Sequence, residues 1–271
     1  MTKPPMRDRD DYGVALVTGA GSGIGQGIAL RLAELGARVV VTDIAEAGIA
    51  DTVKQVEAAG GTALGQKLDV SDPVSVNAAF DAAERWDKCV DILVNNAGIV
   101  GINPFLDFPL EDWNRVMAVN LTGSMLCAQR AAREMVRQRY GRIVNIVSVS
   151  GIRAGVGRTA YGTSKAALMG LTRQIALEVA AHGVTANAIA PGAITTPLTE
   201  STYTEETVAR LLPMIPAGYM ADPADIAAAV AYLGSPDARY VNGETLVVDG
   251  GYVCGGMMQT GSLDLGTKSS S

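Results

Sequence analysis

Tyr161 and Lys165 stand four residues apart in "YGTSK", among small residues that leave both side chains room. At about 100° per residue a four-residue step turns roughly 400° in a helix, so the phenol and the ammonium share one face. A free phenol has a pKa of ~10 and is a poor base near neutrality. A cation at ~4 Å in an effective dielectric of ~20 contributes ~4 kcal/mol, close to three pKa units, before desolvation of the phenolate takes some of it back. Such a tyrosine exchanges protons near working pH. An alcohol cannot release hydride while it holds its hydroxyl proton, and a ketone accepting hydride needs a proton delivered, so alcohol–ketone interconversion calls for one reversible proton group. Ser148, earlier in the chain at the end of "RIVNIVS", can hydrogen-bond the same oxygen, with Ser150 as its near neighbour. A Tyr–Lys pair at this spacing also occurs on ordinary amphipathic helix surfaces, and its chemical meaning rests on the motifs around it.

The apolar run "VALVT" leads directly into "TGAGSGIG", residues 18 to 25, and then into a helical pattern. The spacing G-x-G-x-x-G does not fit; G-x-x-x-G-x-G does, at Gly19, Gly23 and Gly25. Glycine permits a tight turn and close backbone approach, and free N–H groups at a helix N-terminus, here around Ser22 and Ile24, attract a pyrophosphate. Asp43 ends the second apolar run, where a dinucleotide-binding fold places the group that meets the adenosine ribose. A carboxylate there accepts from both ribose hydroxyls and repels a 2′-phosphate. Neither Ser22 nor Ile44 supplies a compensating cation, and Arg38 lies at the far end of the strand, at ~3.3 Å per residue. NAD is therefore expected over NADP. A strand-end aspartate can also cap the following helix.

These groups need a scaffold. From Val14 the chain alternates short Val/Ile/Leu runs with amphipathic stretches: "VALVT", 24 to 35, "RVVVTD", 46 to 59, "TALGQKLD", 73 to 87, "DILVNNAG", a long helix from 111 to 138, "RIVNIVS", 160 to 181, "VTANAIAPG", 224 to 234 and "ETLVVDGG". Strands apolar on both faces and separated by helices predict a doubly wound, Rossmann-like α/β fold with a seven-stranded parallel sheet covered on both sides. With no linker, repeat or composition shift, residues 1 to 271 read as one dinucleotide-binding and catalytic domain. The irregular segment 193 to 222 is its substrate loop.

A hydrophobic content of 48% suits a sizeable core, and a formal net charge of −6 offers no basic stripe for a nucleic acid. Cys89, Cys127 and Cys254 are odd in number and lack metal-ligand spacing, so no metal is expected and a reducing cytoplasm is. "MTKPPMRDRDDYG" reads as a polar lead-in rather than a signal peptide, "GTKSSS" as a loose tail, and no apolar run is long enough to span a membrane.

"TGAGSGIG", "LDV" at 68 to 70, "NNAG" at 95 to 98, Asn120, Ser148 in "IVSVSG", "YGTSK" and "PGAITT" at 191 to 196 together resemble the short-chain dehydrogenase/reductase family over nearly the whole chain. The resemblance implies that Asp69 and Val70 meet the adenine and that Asn96, Ala97 and Gly98 meet the adenine-side ribose. Pro191, Gly192, Ile194 and Thr196 hold the nicotinamide carboxamide. Tyr161 is the acid/base, Ser148 positions the reacting oxygen, Lys165 also holds the nicotinamide ribose, and Asn120 orients a water that relays protons. It further implies a homotetramer, in which the 111 to 138 and 160 to 181 helices meet their copies through small residues such as Ala128, Ala131, Ala132, Ala166, Ala167 and Gly170; packing on the sheet is the plainer use of that face.

The expected activity is NAD-dependent interconversion of a secondary alcohol and its ketone. The pocket is expected from Ile99 to Asn103, the segment after Ser150, the 195 to 220 loop and the tail "CGGMM", with Thr199, Tyr203, Arg153 and Arg158 as its polar groups. A sugar or polyol is the first expectation for the substrate, and either arginine can instead pair with a surface carboxylate. One alternative is a 3-oxoacyl carrier-protein reductase, against which Asp43 and the replacement of a docking arginine by His182 both count, although Arg139 is present. The other is a non-catalytic NAD-binding regulator, which would not need the proton-transfer groups.

Overall fold

The computed structural model describes residues 12–87 and 89–255. The N-terminal lead-in up to residue 11, residues 256–258 of "CGGMM" and the "GTKSSS" end lie outside them. Among the described residues the strands are β1 (Val14–Thr18), β2 (Arg38–Asp43), β3 (Thr62–Lys67), β4 (Ile92–Asn95), β5 (Gly141–Ile146), β6 (Val184–Pro191) and β7 (Thr245–Val248). They form one seven-stranded sheet in the order β3-β2-β1-β4-β5-β6-β7. Every pairing is parallel.

The layers follow from the pattern of the strands. β1, β4, β5 and β6 are buried along their whole length, because helices cover both faces and leave no side for polar residues. One face carries α1 (Gly23–Glu34), α2 (Glu46–Ala58) and α9 (Pro223–Gly234), packed through Ile28, Leu32, Ile226 and Val230 onto Ala15, Val17, Val39 and Ile92. The other carries α3 (Pro73–Trp86), α5 (Ser124–Gln138) and α6 (Thr159–Val179), packed through Phe80, Cys127, Met135 and Ala176 onto Leu16, Val40, Leu93 and Ile143. Burying side chains of this size contributes about 1.5–3 kcal/mol each relative to leaving them in water.

Two expectations need adjustment. The long helix expected over 111–138 is α4 (Leu110–Met117), then a π-helical turn over Ala118–Gly123, then α5. The 193–222 segment is not wholly irregular: it folds α7 (Pro197–Thr202) and α8 (Glu205–Leu211). Proline at the first turn and a reciprocal Thr196–Thr199 capping box start α7, local signals that an apolar-periodicity reading passes over because the helix is so short. The strand order switches between β1 and β4, from which the connections run to opposite sides of the sheet, and such a switch opens a crevice beyond the carboxyl ends of the strands.

Candidate functional site

The glycine-rich turn sits at that crevice. Gly19 has φ +63°, a left-handed conformation that side chains rarely adopt, and it carries the chain sharply out of β1. A Cβ on Gly25 would lie 2.1 Å from the Gly19 carbonyl oxygen, so only glycine lets the first turn of α1 fold back onto the strand end. Asn96 pins the same turn by donating Nδ2 to the carbonyls of Thr18 and Gly19, both at 2.9 Å. Thr18 Oγ1 in turn accepts the N–H groups of Asn96 and Ala97. Ser22 precedes α1 in extended conformation, exposed and with no side-chain capping bond, and the first turn of α1 has no acidic residue. The orphan N–H groups of that turn, with Ser22 and Ile24 beside them, are therefore suited to a bound anion.

Asp43 holds both a local and an outward role. Its carboxylate accepts from Gly21 N and from Ala45 N, each at 3.0 Å, bracing the glycine turn and the approach to α2. Each oxygen keeps acceptor capacity for a hydroxyl. Arg38 is confirmed at the opposite end of β2, paired with Asp87 at 2.8 Å and stacked on Trp86. A cation that sequence reasoning missed is Lys67, the register partner of Asp43 on β3. Its ammonium is 2.8 Å from Glu46, which leaves it matched by a carboxylate. Parallel pairing is what brings it there, and no sequence spacing shows it.

Farther along the crevice, Asp69 is exposed and accepts from the Ser71 backbone and hydroxyl, while Val70 is buried against Gly123. Gly98 links the two halves of the site: a Cβ there would meet Asn120 Oδ1 at 3.3 Å and Lys165 Nζ at 3.4 Å. Pro191 ends β6, Gly192 bonds back to Val248, and Ile194 is buried beside Ala221. Thr196 caps α7 and lies within 3.5 Å of the Cβ position of Gly23, which brings the 191–196 turn against the glycine turn. A dinucleotide fits these residues: side chains at Gly19 and Gly21 would crowd Ala97 and the Asp43 carboxylate, and one at Gly98 would crowd Asn120 and Lys165, so glycine keeps the backbone open to a ligand at both ends of the site.

Tyr161, in the first turn of α6, is half-buried. Ser148 is nearly buried at the end of β5, and its Oγ accepts Ser150 N at 3.1 Å. That bond uses the Ser150 backbone, and of the two hydroxyls it is that of Ser148 that is seen bonded to the Tyr161 phenol. Burial pushes the Tyr161 phenol above its ordinary value, while a hydrogen bond with Ser148 and the nearby positive charge of Arg158 pull it down. Lys165 is 3% exposed, donates to the Ile146 carbonyl at 2.8 Å, and has its ammonium 5.8 Å from the Tyr161 ring centroid. Burial lowers its pKa to about 8. The pair shares one helix face as its spacing predicts, while the charge that pulls the phenol down here is that of Arg158 and the net balance stays with burial.

Asn120 occupies the π-helical turn, fully buried, with Oδ1 accepting Ile99 N at 2.8 Å and Nδ2 donating to Ile99 O and Ser164 Oγ. Ser164 donates to the Tyr161 carbonyl at 2.7 Å. Asn120, Ser164 and Tyr161 thus form a connected polar chain, and Ser164 is a member that sequence reading left out although it stands within "YGTSK". Of the pocket groups expected from sequence, Thr199 is committed to the Thr196 cap and to Ile194 O. Arg153 donates to the carbonyls of Tyr252 and Gly255, drawing the described start of the tail toward the mouth. Arg158 donates to the Tyr203 hydroxyl at 3.3 Å rather than to a carboxylate. His182 lies just before the left-handed Gly183 at the end of the helix, away from the proton-transfer groups. Among the described residues no group of three or more His, Cys, Asp or Glu could hold a metal ion, and no helix is long and apolar enough to cross a membrane.

Comparison with known proteins agrees with this geometry. A family model described as enoyl-(acyl carrier protein) reductase matches residues 19–253. The 3-oxoacyl-(acyl-carrier-protein) reductase FabG of Vibrio cholerae is 43% identical over 238 residues, 88% of this chain and 96% of that protein. A short-chain type dehydrogenase/reductase from Mycobacterium marinum superposes with a TM-score of 0.87 at 37% identity, covering 91% of this chain and 97% of its own. An Agrobacterium tumefaciens protein, a candidate 2-deoxy-D-gluconate 3-dehydrogenase with bound NADP, gives 0.84 at 38% identity, covering 90% and 97%. Sequence and fold converge, and the chain belongs to the short-chain dehydrogenase/reductase family of oxidoreductases.

Proposed function

We propose that this protein interconverts a ketone and its secondary alcohol with a nicotinamide dinucleotide, using Tyr161 as the group that gives or takes the proton. The observation that supports this most is the convergence of Tyr161, Ser148 and Lys165 beside Gly98 and Asn120. The cofactor supplies or accepts the hydride when bound. The chain does the rest. Ser148 and Tyr161 hold the reacting oxygen and Tyr161 moves its proton, while Ser164 and Asn120 brace the Tyr161 backbone carbonyl against the Ile99 backbone. Lys165 and the positive charge of an oxidised nicotinamide are the two influences that bring the buried phenol back toward working pH. The other proposed contacts are Gly19, Ser22, Gly23, Ile24 and Gly25 for the pyrophosphate, Asp69, Val70, Asn96, Ala97 and Gly98 for the adenosine side, and Pro191, Gly192, Ile194 and Thr196 for the nicotinamide; the close approach of Gly23 to Thr196 supports reading the first and last sets together.

A 3-oxoacyl framework is the substrate class with the stronger support, because several relatives at 40–43% identity are named 3-oxoacyl-(acyl-carrier-protein) reductases. The sugar or polyol reading has less: Thr199, one of its hydrogen-bonding groups, is spent in a helix cap, and only the gluconate-type names among solved structures favour it. NADH rather than NADPH is the proposed cofactor form, on the strength of the Asp43 carboxylate and of a Lys67 already paired with Glu46; the bound NADP of the Agrobacterium neighbour is the observation on the other side. The three free cysteines suit a reducing cytoplasm. A second copy is the proposed occupant of a groove of about 560 Å³ between α5 and α6, lined by Ala132, Val136, Leu171 and Ile175. Ala128 reaches the floor of that groove while packing on the sheet, and Ala131 is committed to the sheet.

The test is a panel of 3-oxoacyl thioesters, free 3-oxo acids, polyols and sugars, each assayed with both dinucleotides by nicotinamide absorbance. The expected result is turnover of at least one 3-oxo compound with NADH; activity confined to polyols would shift the substrate class, and no turnover across the panel would favour a regulator.

A further inference from the structure

Arg158 is a cation without a carboxylate among the described residues. Arg38, Arg115, Arg130 and Arg210 each have an acidic partner at 2.6–3.0 Å, whereas Arg142 and Arg153 spend their guanidinium groups on backbone carbonyls. Arg158 sits at the N-cap position of α6, three residues before the proton-transfer tyrosine, and its guanidinium carbon lies 5.8 Å from the Tyr161 ring centroid. Its only side-chain partner seen is the neutral Tyr203 hydroxyl, at 3.3 Å, on the loop that joins α7 to α8. The residue is half-buried, and its surroundings are apolar: Ile102 approaches Gly157 to 3.1 Å of its Cβ position, and Val156 and Ile152 are exposed at the same mouth. A planar fork of donors held over a reactive phenol, with its charge unmatched, is a receptor for an anion.

We propose that Arg158 binds a free carboxylate of the substrate close to the reacting carbonyl, selecting a short 3-oxo acid and its hydroxy acid over the corresponding esters and thioesters. This rests on the reading that Tyr161 and Ser148 hold the ketone oxygen. The short separation between the guanidinium and the tyrosine ring limits the anion to a few bonds from the carbonyl carbon, which a 3-oxo acid satisfies. The Tyr203 bond positions the guanidinium in the absence of substrate and ties the α7–α8 segment to the same group. A bound carboxylate neutralises a charge that now pulls the Tyr161 phenol down, so anion binding and the readiness of the phenol to lose its proton are linked.

The experiment uses the full chain with oxidised NAD, under which a ketone binds without reacting, and measures by calorimetry the affinity of acetoacetate and of its neutral ethyl ester. The parent is expected to bind acetoacetate at least about ten-fold more tightly than the ester, the scale of one partly exposed charge-assisted pair. Arg158→Gln is expected to erase that difference with the ester and NAD affinities held within about two-fold and the melting temperature unchanged, and Arg158→Lys to recover part of it. Equal affinities in the parent, no binding of acetoacetate, or an equal loss for both ligands in Arg158→Gln would overturn the proposal. Turnover separates this from the catalytic reading. Acetoacetate held by Arg158 but never reduced would remove the reductase reading and leave the anion site, whereas efficient reduction of the ester alone, unaffected by Arg158→Gln, would do the reverse.

Discussion

Lys165 is where residue-scale chemistry is most exposed to measurement. Its ammonium is fully buried with a pKa lowered to about 8 by desolvation, against an ordinary lysine value of 10.5. The folded state therefore binds fewer protons than the unfolded chain between those two values, and stability rises with pH across that window. The full cost of burying the charge is present below about 8 and is relieved as pH climbs toward 10.5. Thermal melts of the parent and of Lys165→Met between pH 8 and 10 should show the parent gaining relative to the variant; parallel profiles would mean that Lys165 is already compensated by another group. The "YGTSK" spacing made the shared face legible. The balance of charge was not, because desolvation depends on how far each group sinks below the surface. Arg158, which does act on the phenol, has no conspicuous spacing to announce it.

At the scale of elements, the order of strands and helices could be read from apolar periodicity, and the strand "RVVVTD" coincides with β2 residue for residue. The π-helical turn over Ala118–Gly123 was invisible, since "AVNLTG" carries neither proline nor a paired break and continues the amphipathic pattern of its flanks. Its consequence is concrete: a locally widened turn sets Asn120 toward Ile99 and Ser164. Asn120→Ala leaves the Ile99 N–H and carbonyl without these partners, a loss of about 1–3 kcal/mol per unsatisfied buried group, read as a lower urea midpoint. An unchanged midpoint would show that water replaces the side chain there. Gly25→Ala is a second element-scale prediction. The added carbon would force the α1 terminus away from the Gly19 carbonyl, with a stability loss of about 1–3 kcal/mol and at least a ten-fold weaker dinucleotide affinity. Retained affinity would place the pyrophosphate elsewhere.

For the whole molecule, the proposed site extends from Asp43 at the end of β2 to Tyr161 in the first turn of α6, and the two ends make separate predictions. Asp43→Ala should raise the NADP to NAD ratio of kcat/KM by about ten-fold or more, since it removes a carboxylate that meets one form and repels the other; an unchanged ratio would locate the choice in other residues. The far end decides the chemistry. The account depends most on Tyr161 as the proton group, and the direct measurement is kcat for Tyr161→Phe on the best substrate of the panel, alongside its NAD affinity. The expected result is a fall of roughly 10²–10⁴-fold with NAD affinity preserved. Turnover within a few-fold of the parent would contradict it.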